Sequence, residues 1–177
     1  YEAATINLKY TDENQNEIAT GSVEYPEGAY KSKTYKTEKK DIPGYVFDYM
    51  DPRSAEPEGI LNDWGSNGDV VYVYAPLIDT TTESKEVTET IHYVDKAGNK
   101  LADDHTDKVS FTRTVSKNEV TGEIAYGDWK ADKNDSQFDF VKNPELKGYR
   151  PDSSEVGKQT ITPETKDMEF KVTYTPL

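Results

Sequence analysis

Leu8-Lys9-Tyr10-Thr11-Asp12-Glu13-Asn14-Gln15-Asn16-Glu17-Ile18 and Ile91-His92-Tyr93-Val94-Asp95-Lys96-Ala97-Gly98-Asn99-Lys100-Leu101 are two readings of one pattern. Each alternates into a tyrosine, turns through Asx-rich residues and re-enters at an apolar position. A period of two marks a half-buried strand. Asx side chains hydrogen-bond their own backbone and so turn the chain. Gly98 suits the second turn, because glycine takes a positive φ without steric cost. Gln15 holds the matching place in the first copy. Either Gln15 carries a small strain there, or Asn14 or Asn16 takes the left-handed position instead.

The repetition extends outward from these turns. Gly44-Tyr45 answers Gly148-Tyr149, and Tyr74-Ala75-Pro76-Leu77 answers Tyr174-Thr175-Pro176-Leu177. A repeated supersecondary unit marks a modular array, and arrays project and bind more often than they catalyse. The spacing divides the chain into a first module, residues 1–79, and a second, residues 80–177, with an inserted hairpin. Ile78 to Glu86 is polar and without periodicity, and reads as a short extended linker. Lys31 to Lys40 suggests a short helix, weakened by Thr34, Tyr35 and Thr37. Asp51 to Gly68 reads as a loop whose Ile60, Leu61 and Trp64 cover one end of the core. Phe138, Phe140 and Val141 re-enter the core of the second module. Tyr10, Tyr45, Tyr72, Tyr74, Tyr93, Tyr149 and Tyr174 lie in repeated frames and are assigned to the two cores.

Composition agrees with small, sheet-rich modules. The hydrophobic fraction is 33%, low for one compact globule, but 13 Tyr and 5 Phe add large amphipathic rings. Such rings bury a face while the tyrosine hydroxyl stays wet. The net charge is −13, and both modules are acidic. A basic footprint for nucleic acid or an anionic membrane is missing, so neither is an expected partner. There is no Cys, which excludes disulfides, zinc knuckles and thiol nucleophiles. No signal peptide, membrane span or sorting tail is visible. The start at Tyr1, without Met, is what a piece of something longer would show.

The chain resembles the tandem repeats of mucus-binding surface adhesins of gut-dwelling Gram-positive bacteria. In the first half Tyr10-Thr11-Asp12-Glu13-Asn14, Ile42-Pro43-Gly44-Tyr45 and Val71-Tyr72-Val73-Tyr74 look like a mucin-binding-protein (MucBP) module. In the second, Ile91-His92-Tyr93-Val94-Asp95, Val109-Ser110-Phe111-Thr112-Arg113, Val120-Thr121-Gly122-Glu123, Trp129 and Gly148-Tyr149 look like its partner domain. The resemblance implies an α+β, mostly β architecture: two tandem ubiquitin-like β-grasp modules, each a sheet packed on a short helix, forming an elongated rod. It implies an extracellular, cell-wall-anchored protein whose repeats stand as monomers in a tandem array. Its implied partners are mucin glycoproteins, bound weakly and multivalently, with immunoglobulin binding or a purely structural spacer as alternatives.

No enzyme is expected. His92 lies in a strand and His105 in the polar run Asp103 to Asp107, read as a solvated loop, and no site is assembled around either. No cofactor is implied. Asp12-x-Asn14-x-Asn16 and Asp132-x-Asn134-x-Ser136 begin like calcium loops but lack the required Gly and bidentate carboxylate, leaving at most a weak Ca²⁺ site. A Lys–Asn isopeptide bond is a further option that the sequence does not discriminate. Binding rests on exposed aromatics, because sugar rings present a C–H face that stacks on them. The candidates are Tyr25, Tyr30, Tyr35, Trp64, Tyr126 and Trp129, with Arg113, Lys130 and Arg150 for sialic-acid or sulfate groups.

Overall fold

A computed structural model describes residues 3–177, so Tyr1 lies outside the described residues. Contacts divide the chain into two units. One comprises Tyr1–Asp79 with Lys117–Ile124, and the other Thr80–Ser116 with Ala125–Leu177.

The first unit contains β1 (Ala4–Thr11), β2 (Glu17–Ala19), β3 (Thr34–Lys36), β4 (Tyr45–Met50), β5 (Glu58–Ile60) and β6 (Gly65–Pro76). Four of them form a sheet in the order β2-β1-β6-β4, with the central pair β1 and β6 parallel. Alternation on β1 turns Ala4, Ile6 and Tyr10 inward and Thr5, Asn7 and Lys9 outward. Val70, Tyr72 and Tyr74 face the same core from β6. Tyr10 stacks on Tyr72 at 5.4 Å between ring centroids, and Phe47 meets Tyr72 and Tyr74 edge-on. The hydroxyls tie the overlying loops. Tyr10 donates to Glu38 O, Tyr35 to Glu56 O and Tyr74 to Lys40 O. A tyrosine-rich core thus supplies both burial and loop anchorage.

The second unit repeats the arrangement. Its strands are β7 (Ile78–Asp95), β8 (Lys100–Asn118), β9 (Ile124–Tyr126), β10 (Lys130–Ala131), β11 (Gln137–Phe138), β12 (Val141–Lys142), β13 (Tyr149–Pro151), β14 (Glu155–Val156), β15 (Gln159–Thr160) and β16 (Met168–Pro176). The main sheet runs β10-β8-β7-β16-β13, with β9 also paired to β8, and its β7 and β16 are parallel. The buried side chains form two clusters, one around Val87, Phe111 and Phe138 and one around Ile91, Tyr93 and Tyr174.

Several expectations from sequence are corrected. No helix occurs among the described residues, so the helical part of the α+β reading is replaced by short β-ribbons. The segment expected to be helical carries β3, paired with β5, because Tyr35 and Thr37 alternate inward. Ser32, at φ 74°, turns the chain just before it. Ile78 to Glu86 is strand, not linker, and Asp103 to Asp107 is strand, not loop. Both stretches are exposed on almost every residue, so they carry no apolar alternation to betray them. Leu61 is buried, but Ile60, Trp64 and Phe140 are exposed. Each turn takes one geometry. Gln15 (φ 66°) and Gly98 (φ 87°) occupy the left-handed position.

Candidate functional site

On β7 the residues Val87, Glu89, Ile91 and Tyr93 face inward, and Glu83 and Lys85 continue the same face toward the start of the strand. On β8, Val109 and Phe111 face inward and Arg113 continues that line. At this edge the apolar core ends, and long cationic stems with polar heads take over from it. Trp129 packs on the Val87–Phe111 cluster and covers the edge.

Arg113 connects the group. Its guanidinium lies over the Tyr126 ring at 4.2 Å and over the Trp129 ring at 4.6 Å. Both its Nε and Nη2 pair with Glu83 Oε1. A planar cation suits this place, because it stacks on rings while its edge grips a carboxylate. Lys85 Nζ sits 5.3 Å from the Trp129 ring and donates to Pro163 O. Each exposed cation–π contact contributes about 0.5–1 kcal/mol. Arg113 therefore orders two rings, its own charge being met by Glu83.

The backbone brings these groups together at Gly127. Its N–H donates to Thr114 O, and a Cβ there would collide with Thr114 Oγ1. The close approach carries the chain from Tyr126 to Trp129 alongside β8. Lys130 then pairs with Thr112, and Thr112 Oγ1 donates to Asp132 Oδ1 at 2.6 Å. A shallow cavity of about 470 Å³ lies alongside, walled by Thr112, Arg113, Asp128, Lys130 and Asp132. Tyr126 is 58% exposed, so most of its ring remains open to water.

Of the residues singled out from sequence, Arg113, Tyr126 and Trp129 converge here, while Lys130, paired with Thr112, alternates to the opposite face of β8. The others do not. Tyr35 is buried and Tyr25 is half-buried, its hydroxyl exchanging hydrogen bonds with the backbone of Ile6. Tyr30 and Trp64 are exposed on the first unit, and Arg150 is exposed on β13. Sequence reasoning missed Glu83 and Lys85, which stood inside the supposed linker. Their spacing of two, in phase with Val87, was the available signal.

The calcium-like and histidine motifs have structural duties. Asp12 Oδ1 accepts from the N–H groups of Asn14 and Asn16, and Asp95 Oδ1 from those of Ala97 and Asn99. These bonds hold both carboxyls below the ordinary aspartate range. No group of three or more acidic or histidine side chains suited to a metal ion occurs among the described residues. His92 reaches Asp104 on β8 at 3.1 Å and Glu169 on β16 at 3.6 Å, spanning three strands. No lysine is among the buried polar residues described.

Residues 78–177 match the family model of the Muc B2-like domain, and residues 5–75 match that of the MucBP domain. The chain is a mucus-binding-protein repeat of the Mub type. The mucin-binding domain of Spr1345 from Streptococcus pneumoniae is 35% identical to this repeat. That match covers 56% of the repeat and 97% of the Spr1345 domain, with a TM-score of 0.52. Mub-RV is 24% identical, covers 100% of both chains and has a TM-score of 0.63, a likeness of fold. No curated protein matches the repeat.

Proposed function

We propose that this repeat is a non-catalytic adhesin module that binds mucin glycoproteins at the surface of a Gram-positive bacterium. Membership in the Mub-type family and the likeness to a mucin-binding domain support this reading. The observation that carries it to particular residues is the Arg113 guanidinium stacked against both Tyr126 and Trp129. An aromatic ring already held by a neighbour loses little conformational entropy when a ligand stacks on it. Tyr126 offers such a ring.

The surface is shallow, so each contact is weak, and tandem copies raise avidity through effective concentration. Covalent anchoring to the cell wall would present those copies outward. The parallel pairing of first and last strands in each sheet supports a β-grasp ancestry for both units, with the helix lost.

The test is retention of the purified repeat on immobilised mucin, before and after periodate oxidation of the glycans. The expected result is retention that oxidation abolishes and that Tyr126→Ala reduces severalfold. Retention that survives oxidation would assign the contact to protein, as immunoglobulin-type recognition would require. No retention even for concatenated copies would leave a spacer.

A further inference from the structure

The face of the first sheet turned away from its core holds a polar cavity of about 420 Å³. Lys9 and Thr11 enter it from β1, Asp69 and Val71 from β6, Asp51 and Arg53 from the chain after β4, and Gln15 from the turn. Lys9 and Thr11 alternate with the core residue Tyr10, and Asp69 and Val71 with Val70 and Tyr72. Strand periodicity therefore sends one set of side chains to the core and the other to this cavity.

The rim is charged but balanced. Asp69 takes Asn7 Nδ2 at 2.9 Å and Lys9 Nζ at 3.1 Å. The Asn7 hydrogen bond, with Lys9, holds the Asp69 carboxyl below the ordinary aspartate range. Asp51 Oδ1 accepts the Arg53 N–H at 2.8 Å, with Arg53 Nε 3.8 Å away. Each carboxylate already faces a cation, so the rim does not call for an ion. It presents acceptors and donors side by side, over Val71.

Gln15 gives a second, independent pointer. It stands at φ 66° in the same turn in which the second unit uses Gly98 at φ 87°. A side chain at that position carries a steric cost that glycine avoids. The Gln15 that the first unit keeps there lines the cavity. The second unit builds nothing comparable. Aligned on Tyr10 and Tyr93, its counterparts of Lys9, Asp69 and Val71 are His92, Glu169 and Lys171. The apolar floor becomes a charge and the amide disappears.

We propose that this cavity binds the vicinal hydroxyls of a neutral pyranose ring. A hydroxyl both donates and accepts, so a diol satisfies a carboxylate and an adjacent cation together. Asp51 and Asp69 accept from the sugar, Lys9, Arg53 and the Gln15 amide donate to it, and Val71 lies under its C–H face. The volume falls within the range of small-ligand sites. None of these residues belongs to the Tyr126–Trp129 surface, so this site stands apart from the proposed mucin contact.

The test is a ¹H–¹⁵N NMR titration of the full chain with methyl glucopyranoside, galactopyranoside and mannopyranoside. The expected result is saturable shifts of the Gln15 side-chain amide and of the Thr11 and Val71 backbone amides with at least one of them. Gln15→Gly is expected to melt at a higher temperature yet bind about tenfold more weakly, which separates loss of the site from loss of the fold. Tyr126→Ala is expected to leave these shifts unchanged while weakening mucin retention. The proposal is overturned if no pyranoside moves these resonances, if Gln15→Gly binds equally well, or if a methyl glucuronoside binds better than the neutral sugars.

Discussion

Glu89 lies opposite Met168 in the parallel pair β7–β16, fully buried, and neither carboxylate oxygen has a hydrogen-bond partner. It interrupts the apolar face between Val87 and Ile91, which belong to different core clusters. Burial pushes its carboxyl up, Asp107 adds to the rise, and His105 opposes it. The folded unit therefore holds this proton more tightly than the unfolded chain does. Its contribution to stability is fully present below the ordinary glutamate value of about 4.3, and is lost as pH rises through the elevated folded value. Glu89→Leu is expected to remove this dependence and to stabilise the second unit by about 1–3 kcal/mol at neutral pH. Denaturant unfolding of both proteins across mildly acidic to neutral pH checks it, and parallel curves for the two would refute it.

Gly127 and Thr114 form the tightest crossing beneath the aromatic surface. Gly127→Ala is expected to cost about 1–2 kcal/mol through overpacking. Thr114→Ala removes the hydroxyl that an added Cβ would meet. The double variant should therefore recover most of the loss, and a thermodynamic cycle of melting measurements reads that coupling. Additive losses would mean that the chain path, not this one contact, sets the cost.

What the sequence made legible was periodic and repeated. Tyr10, Tyr74, Tyr93 and Tyr174 were placed in the cores because two copies set them in one frame, and all four are buried. Short β3 escaped because three residues cannot display a period. Ile78 to Glu86 escaped because a strand wet on both faces needs no apolar alternation, its pairing being fixed by its partner. Tyr35 and Tyr126 look alike in sequence. One spends its hydroxyl on Glu56 O inside the core and the other stays in water, and that difference arises from distant chain segments. The residue types of the aromatic surface could be read, but their convergence depends on β7, β8 and the Gly127 crossing together.

Arg113→Lys is expected to weaken the aromatic surface although it conserves charge. An ammonium cannot lie flat between two rings and hold Glu83 with its edge. The loss should be about 0.5–1.5 kcal/mol of stability, with Tyr126 and Trp129 freed to move. In a Trp64→Phe background, Trp129 is the sole tryptophan, so its emission and anisotropy report the change directly. A spectrum identical to that of the parent would mean that Lys85 and the core contacts hold Trp129 without Arg113.

Gln15 and Gly98 invite a reciprocal exchange. Their turns share the same aspartate bonds and the same left-handed position, so backbone preference is the main variable. Gln15→Gly should stabilise the first unit, and Gly98→Gln should destabilise the second, each by about 1 kcal/mol. Denaturant midpoints of the two single variants measure both signs. Glycine's greater entropy in the unfolded chain works against the first gain and, to the same extent, against the second loss, so the two effects should be similar in size and opposite in sign. If Gln15→Gly instead lowered stability, the Gln15 side chain would be bonded to the cavity wall strongly enough to offset its strain.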